Sequence, residues 1–384
     1  MKMQPLALAI LAATTVLVGC SRTGEDATAT AAFTYADGSP ARVTEWGDPD
    51  LQGMWPIMHI FTTPLQKPAG GRPGGPPPPD QRNRTPEQVA AAQAAMDRRN
   101  ESYKQMVATN SLGMGGWAES TTTVGAIGVN WLISYPEDGR VPALTARGEE
   151  LRPLFKSDDT QPMVFDSPTE DFDQWDRCIT RGLPSSMLAI NYNNGVRIDQ
   201  SPGFVVISTE MIHESRIVPI DREPLDPAIK QWMGESRGHW EGSTLVIETT
   251  NFNGEVNMTN VGIPGSPGGD TPSTTGMRTV ERLTRVSDTQ IDYEMTVEDP
   301  EVLTDKWTFG YPMMLDPTYQ FYEYACHEDN SAVRNFIETS RYERAHPELF
   351  PQRQGGPGGP PGAGGRPGGP GGAGPGARGG PPPQ

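Results

Sequence analysis

Only three cysteines and five histidines occur among 384 residues, and basic residues are outnumbered by acidic ones, 31 to 48. Each shortage excludes something. The formal net charge of −17, with no basic stripe to offset it, argues against nucleic acid, because a polyanion would be repelled. An acidic surface mainly favours solubility. No Cys-x-x-Cys or His-x-x-x-His spacing occurs, so a metal site has no support from spacing. Gly-x-Ser-x-Gly surrounds no strand-to-helix turn, and Gly242-Ser243 reads as a hairpin instead. A Walker loop and a dinucleotide fingerprint are absent too, so no nucleotide cofactor is expected.

A membrane-spanning run is also lacking. The apolar stretch from Pro5 to Val18 holds 14 residues, where a bilayer of roughly 30 Å needs about 20. It follows Lys2 and leads into Leu17-Val18-Gly19-Cys20. A charged start, an apolar run and small residues before a cysteine resemble a bacterial lipoprotein signal. The resemblance implies a signal peptide over 1–19, lipid on Cys20, and a body held beside a membrane. Two or more acyl chains make such anchoring stable, at about 0.8 kcal/mol per buried methylene. Ser21, in place of Asp, implies the outer membrane of a bacterial envelope, facing the periplasm or the exterior. Residues 20–32 are small and polar and read as a tether.

Removing Cys20 from the count leaves Cys178 and Cys326. In an oxidising compartment two cysteines pair as a disulfide, the alternative being two buried free thiols. On the loop-entropy account, closing so long a loop stabilises the fold by roughly 5 kcal/mol.

What remains is a body over 33–345, interrupted by a Pro/Gly insertion at 67–84 and followed by a Gly/Pro tail at 351–384. The tail lacks the three-residue period of collagen and cannot bury apolar area, so it is expected to be disordered. Thr85-Pro86-Glu87-Gln88 carries a capping-box pattern, and a helix is expected from Pro86 to Val107. Val89, Met96, Tyr103 and Val107 share one side of it. A shorter helix is expected from Thr145, with Glu149 and Glu150 near its start.

From Gly195 onward the pattern turns to strands. Gly203 to Glu210 and Arg216 to Ile220 flank one turn, Trp240 and Thr244 to Thr250 another, and Arg278 to Val286 and Gln290 to Val297 a third. Ile291, Tyr293, Met295 and Val297 share one face, against Asp292, Glu294 and Thr296 on the other. Trp307 to Met313 and Tyr319 to Cys326 add two more strands. The expectation is a β-rich α+β fold: an antiparallel meander closing into a barrel, which removes exposed edges, with one long and one or two short packed helices. Gly53-Met54-Trp55 resembles the Gly-x-Trp that opens lipocalin barrels and tips the choice toward a lipocalin-like barrel over a sandwich.

Longer segments resemble a family of secreted bacterial proteins to which no activity is assigned. They are Pro49 to Gly53, Tyr135 to Arg140, Arg177-Cys178-Ile179-Thr180-Arg181-Gly182-Leu183-Pro184, Trp240-Glu241-Gly242 and Tyr322-Glu323-Tyr324-Ala325-Cys326-His327-Glu328. The resemblance implies shared architecture and no reaction.

Chemistry therefore has to be sought among few residues. Histidine exchanges a proton near neutral pH, and His213, at a turn, and His327, beside Cys326, stand out among the five. Glu294 is a carboxylate candidate for the same cavity, completing a catalytic trio. Arg216, Trp240 and Glu328 are candidate ligand contacts. His213, His327 and Glu328 would together supply the three ligands of an open zinc site, although no metal is expected. The structural alternative for each histidine is a surface or hydrogen-bonded residue, and tryptophans able to line a cavity more often pack a core. Three readings follow. The first is an envelope lipoprotein holding a small apolar or sugar-like ligand in a barrel. The second is a cofactor-independent hydrolase, lyase or isomerase using His and Glu at the barrel mouth. The third is a protein-binding envelope scaffold.

Overall fold

The computed structural model describes residues 33–70, 79–109, 111, 122, 124–155, 164–260, 262–328 and 330–349. These fall in one unit that begins at Phe33. The signal peptide, the tether, the tail and residues 71–78 of the Pro/Gly insertion lie outside the described residues.

Alternation of buried and exposed residues builds the strands. In β8 (Arg278–Ser287) Thr279, Glu281, Leu283 and Arg285 are buried, and in β9 (Gln290–Glu298) Ile291, Tyr293, Met295 and Val297. In β10 (Trp307–Met314) the same face carries Trp307, Phe309, Tyr311 and Met313. With β2 (Ile133–Tyr135), β6 (Glu235–Glu241) and β7 (Thr244–Thr250) they form a six-stranded antiparallel sheet, ordered β2-β10-β9-β8-β7-β6. A second antiparallel sheet is ordered β1-β3-β4-β5, from β1 (Gly53–Met54), β3 (Val196–Ser201), β4 (Phe204–Thr209) and β5 (Ser215–Pro219). Two-residue turns join β3 to β4 and β6 to β7, and Gly203 and Gly242 supply their left-handed backbone, at φ +78° and +62°.

The fold is β-rich with few helices, but the meander does not close into a barrel. Between the sheets, β5 and β6 share only one isolated parallel bridge, Ile220 to Gly238. On the other side, Asp316 N donates to Met54 O at 2.9 Å just beyond β10. Proline explains the break: Pro219 ends β5 without an N–H to donate, and Pro224 and Pro227 follow before β6 begins. The strand expected from Tyr319 to Cys326 is irregular backbone instead. Its groups are drawn to a side chain, since Glu210 accepts from Tyr322 N (2.8 Å) and Tyr319 OH (2.6 Å).

The inner faces of the two sheets meet over one apolar core. Ile198, Val205, Ile207 and Val218 from the smaller sheet oppose Leu245, Ile247, Leu283, Met295 and Phe309 from the larger. A bidentate ion pair crosses this core. Arg216 of β5 donates from both terminal nitrogens to the Glu281 carboxylate of β8, at 2.6 and 2.8 Å. Tyr293 OH donates to the same carboxylate at 2.8 Å. Burial pulls the Arg216 guanidinium down, yet the Glu281 charge outweighs that and raises it above its ordinary value. Burial, then Glu281, pushes the Tyr293 hydroxyl well up, so it stays a donor.

The helices pack outside. In α1 (Pro86–Ala108) the capping box forms as the sequence pattern predicts, Gln88 N donating to Thr85 Oγ1 (3.3 Å) and Thr85 N to Gln88 Oε1 (2.9 Å). Met96 and Tyr103 are buried, while Val107 is 51% exposed. Thr145 caps α2 (Ala146–Leu151). A third helix, α3 (Ala332–Ala345), has no counterpart among the sequence expectations. Its Val333 and Ile337 pack on Phe165 and Phe172 in a small separate cluster, and Arg341 and Arg344 hold Asp166. The Cys178–Cys326 disulfide, with Cα atoms 5.6 Å apart, ties this C-terminal part to the chain that precedes β3.

The crossing ion pair generates a stability prediction. Arg216→Met leaves a buried carboxylate unpaired and should cost about 3–5 kcal/mol in urea unfolding. Adding Glu281→Leu should recover most of that loss, so the two changes will be strongly non-additive.

Candidate functional site

The residues singled out by sequence go to several places. His213 sits in the turn between β4 and β5, exposed, its Nδ1 donating to Tyr324 O at 2.9 Å. His327 and Glu328 are exposed on the turn after Cys326. Glu294 points outward from β9, away from the core, into a cleft of about 420 Å³ that it shares with Arg82, Arg282 and Asp292. Neither His213 nor His327 lines that cleft. Arg216 is committed to Glu281. Trp240 lies half-buried opposite Leu245 against the core. Among the described residues no three His, Cys, Asp or Glu side chains gather to hold a metal, so His213, His327 and Glu328 do not form such a set. No described helix is long and apolar enough to cross a membrane.

One predicted turn does become a corner of unusual backbone. Cys178, Asn193, Ile212 and His213 all adopt left-handed φ, of 57°, 48°, 61° and 44°. Such a conformation is rare for a β-branched residue like Ile212 and persists only where surroundings impose it. Thr180 donates to the Glu214 carboxylate here. Burial holds that carboxyl above its usual range despite the Thr180 bond. Beside it Arg181 is buried, with one hydrogen bond to Leu188 O (3.1 Å) and its guanidinium over the Trp175 ring at 5.2 Å. Burial lowers its pKa to about 10.

A larger cleft, about 690 Å³, opens next to this corner. That volume is in the ordinary range for small-molecule sites, roughly 300–1,000 Å³. Its first wall is the loop from Thr169 to Arg177, backed by the Phe165–Phe172–Ile337 cluster. Asp171 and Asp173 shape this loop by accepting backbone N–H groups: Asp166 N (2.7 Å) and Ser167 N (2.8 Å) at Asp171, Trp175 N and Asp176 N (both 2.8 Å) at Asp173. The second wall is α2 with Leu154 and Phe155, and the third is made by residues 253–257 and 273–275. Asp299, buried, locks the third wall, taking bonds from Thr274 N (2.7 Å) and Thr274 Oγ1 (3.0 Å). Gly254 permits the close approach of its two segments, because a Cβ there would lie 2.9 Å from Thr275 N at φ +77°.

The lining combines aromatic faces with polar ends. Trp232, Phe155 and Phe172 supply the first, and Asn253, Asn257, Thr275 and Gln174 the second. Gln174 is 2% exposed, and both its amide nitrogen and its amide oxygen are buried without a hydrogen-bond partner. A buried amide with neither group satisfied costs on the order of 1–3 kcal/mol per group, so a ligand able to satisfy it gains that difference. Sequence reading misses Gln174, since nothing local marks it apart from its place before Trp175. It passes over Gly234-Glu235-Ser236-Arg237-Gly238 as well, which matches Gly-x-Ser-x-Gly. That match lies along β6, where Ser236 Oγ is paired with Thr249 Oγ1 at 2.9 Å, and so it is no nucleophile elbow.

Comparison with protein-family models, curated proteins and solved structures finds no match to this chain.

His59 is a core residue. Its Nε2 donates to Pro312 O at 2.8 Å, and burial lowers its pKa from 6.5 to about 4. Because the folded state binds this proton less readily than the unfolded chain, stability is full above pH 6.5 and falls as pH drops toward 4. The loss should be about 3 kcal/mol. His59→Gln, which retains a donor for Pro312, should flatten the slope of unfolding free energy between pH 6.5 and 4.

Proposed function

We propose that this chain is an envelope lipoprotein, anchored through lipid on Cys20, whose body binds a small sugar-like ligand in the 690 Å³ cleft. The unpartnered Gln174 amide beside Trp232 carries the reading. A sugar ring offers an apolar face for an aromatic side chain and a rim of hydroxyls that both donate and accept, as an amide requires. The space between the sheets is occupied by Tyr293, Met295, Phe309 and the Arg216–Glu281 pair, so the ligand is assigned to this outer cleft rather than to a barrel interior. A purely apolar ligand fits less well, since it would leave the Gln174 amide unsatisfied.

A second reading, acid–base chemistry, has Glu214 as its observation: a half-buried carboxyl raised by burial, in a turn of strained backbone. It replaces Glu294 as the partner of His213.

Titrating the purified protein with a panel of mono- and disaccharides should quench or enhance tryptophan fluorescence saturably. Trp232→Ala should weaken binding about tenfold, the loss of an aromatic contact of roughly 1–1.5 kcal/mol. Absence of any saturable signal would remove the reading. For the anchor, Cys20→Ser should move the protein from the membrane to the soluble fraction and abolish incorporation of labelled fatty acid.

A further inference from the structure

The charges around the cleft are unequal, and the inequality bears on which sugar would enter. Its lining contains four carboxylates, on Glu170, Asp173, Glu255 and Glu301, against two guanidiniums, on Arg147 and Arg177. The two cations are engaged locally. Arg147 pairs with Glu150 at 3.2 Å, and Arg177 donates to Thr169 O at 3.3 Å. Asp173 is occupied by backbone N–H groups. Glu170, Glu255 and Glu301, in contrast, form no ion pair among the described residues. They stand on two different walls, Glu170 on the first and Glu255 on the third, with Glu301 beside Gly276.

We infer that the cleft selects a sugar bearing a free amino group, with the ammonium held among Glu170, Glu255 and Glu301. This inference rests on the sugar-binding reading and narrows it. Two independent features converge on it. The buried, unsatisfied Gln174 amide calls for a ligand with hydroxyl-type donors and acceptors, and the carboxylates on the rim call for a cation. Trp232, Phe155 and Phe172 strengthen the second requirement, because an aromatic face attracts an ammonium as well as an apolar ring. A sugar carboxylate would meet the opposite field, at a cost that low salt would magnify.

The test compares three disaccharides of one linkage by isothermal calorimetry on the purified full chain: β-1,4-linked glucosamine, its N-acetylated form and the glucose analogue. The amine form should bind about tenfold tighter or more than either neutral form at low salt, and the preference should shrink severalfold at 0.5 M salt, where the screening length is near 3 Å. In the Glu255→Gln/Glu301→Gln double variant the ratio of amine to neutral affinity should fall toward one. Equal affinity for all three sugars would overturn the amine preference and leave the sugar reading standing. Failure of all three to bind would overturn both. A fluorescence melting curve of the double variant, superimposable on that of the parent, shows that the loss of preference is not a loss of fold.

Discussion

A guanidinium sealed against a carboxylate sets the frame of this fold. Arg216 belongs to the smaller sheet and Glu281 to the larger, and each is fully paired only when the two inner faces are correctly apposed. Apolar contacts between Ile207, Val218, Ile247 and Met295 tolerate some sliding, whereas a bidentate pair with a third bond from Tyr293 tolerates little. Burying these charges is expensive in itself, and replacing both with apolar groups is commonly neutral or stabilising. The pair is better understood as fixing register between two sheets that share only one backbone bridge along their β5–β6 margin.

The same chain economy produces the cleft. The segment before β3 leaves the core, makes a loop shaped by Asp171 and Asp173, and returns through the disulfide corner. On its outer side α3 covers Phe165 and Phe172. The loop therefore has a dry backing and a wet front, and the front faces residues 253–257 and 273–275 across the opening. Asp299 is to that opposite wall what Asp173 is to the loop: a buried carboxylate whose lone pairs organise backbone N–H groups that have no strand partner.

Local chemistry was read from sequence wherever a short pattern decides the outcome. The Thr85–Gln88 capping box, the short helix near Thr145, and the strand pairs β4–β5 and β8–β9 with their turns follow from residues a few positions apart. The failure at Tyr319 to Cys326 has the opposite cause. Its alternation suits a strand, but Glu210, more than a hundred residues earlier in the chain, captures Tyr319 and Tyr322. Alternation likewise shows that Glu294 and Tyr293 lie on different faces, and it correctly makes the Tyr293 side the dry one. It is silent about Glu281, an acid on the dry face, because what keeps it there is an arginine on another sheet.

The sequence by itself determined two of the three described helices, the main hairpins with their turns and the candidate cysteine pair, since capping patterns, hairpin turns and alternation act over a few residues and the cysteine count leaves one partner for each. Tertiary structure alone decided that the strands form two sheets instead of one closed ring, that Arg216 serves the core and not a ligand, and that Gln174 and Trp232 share a cleft. These outcomes depend on which distant surfaces meet. Burial and pairing are set by that meeting, and no periodicity in the chain encodes it.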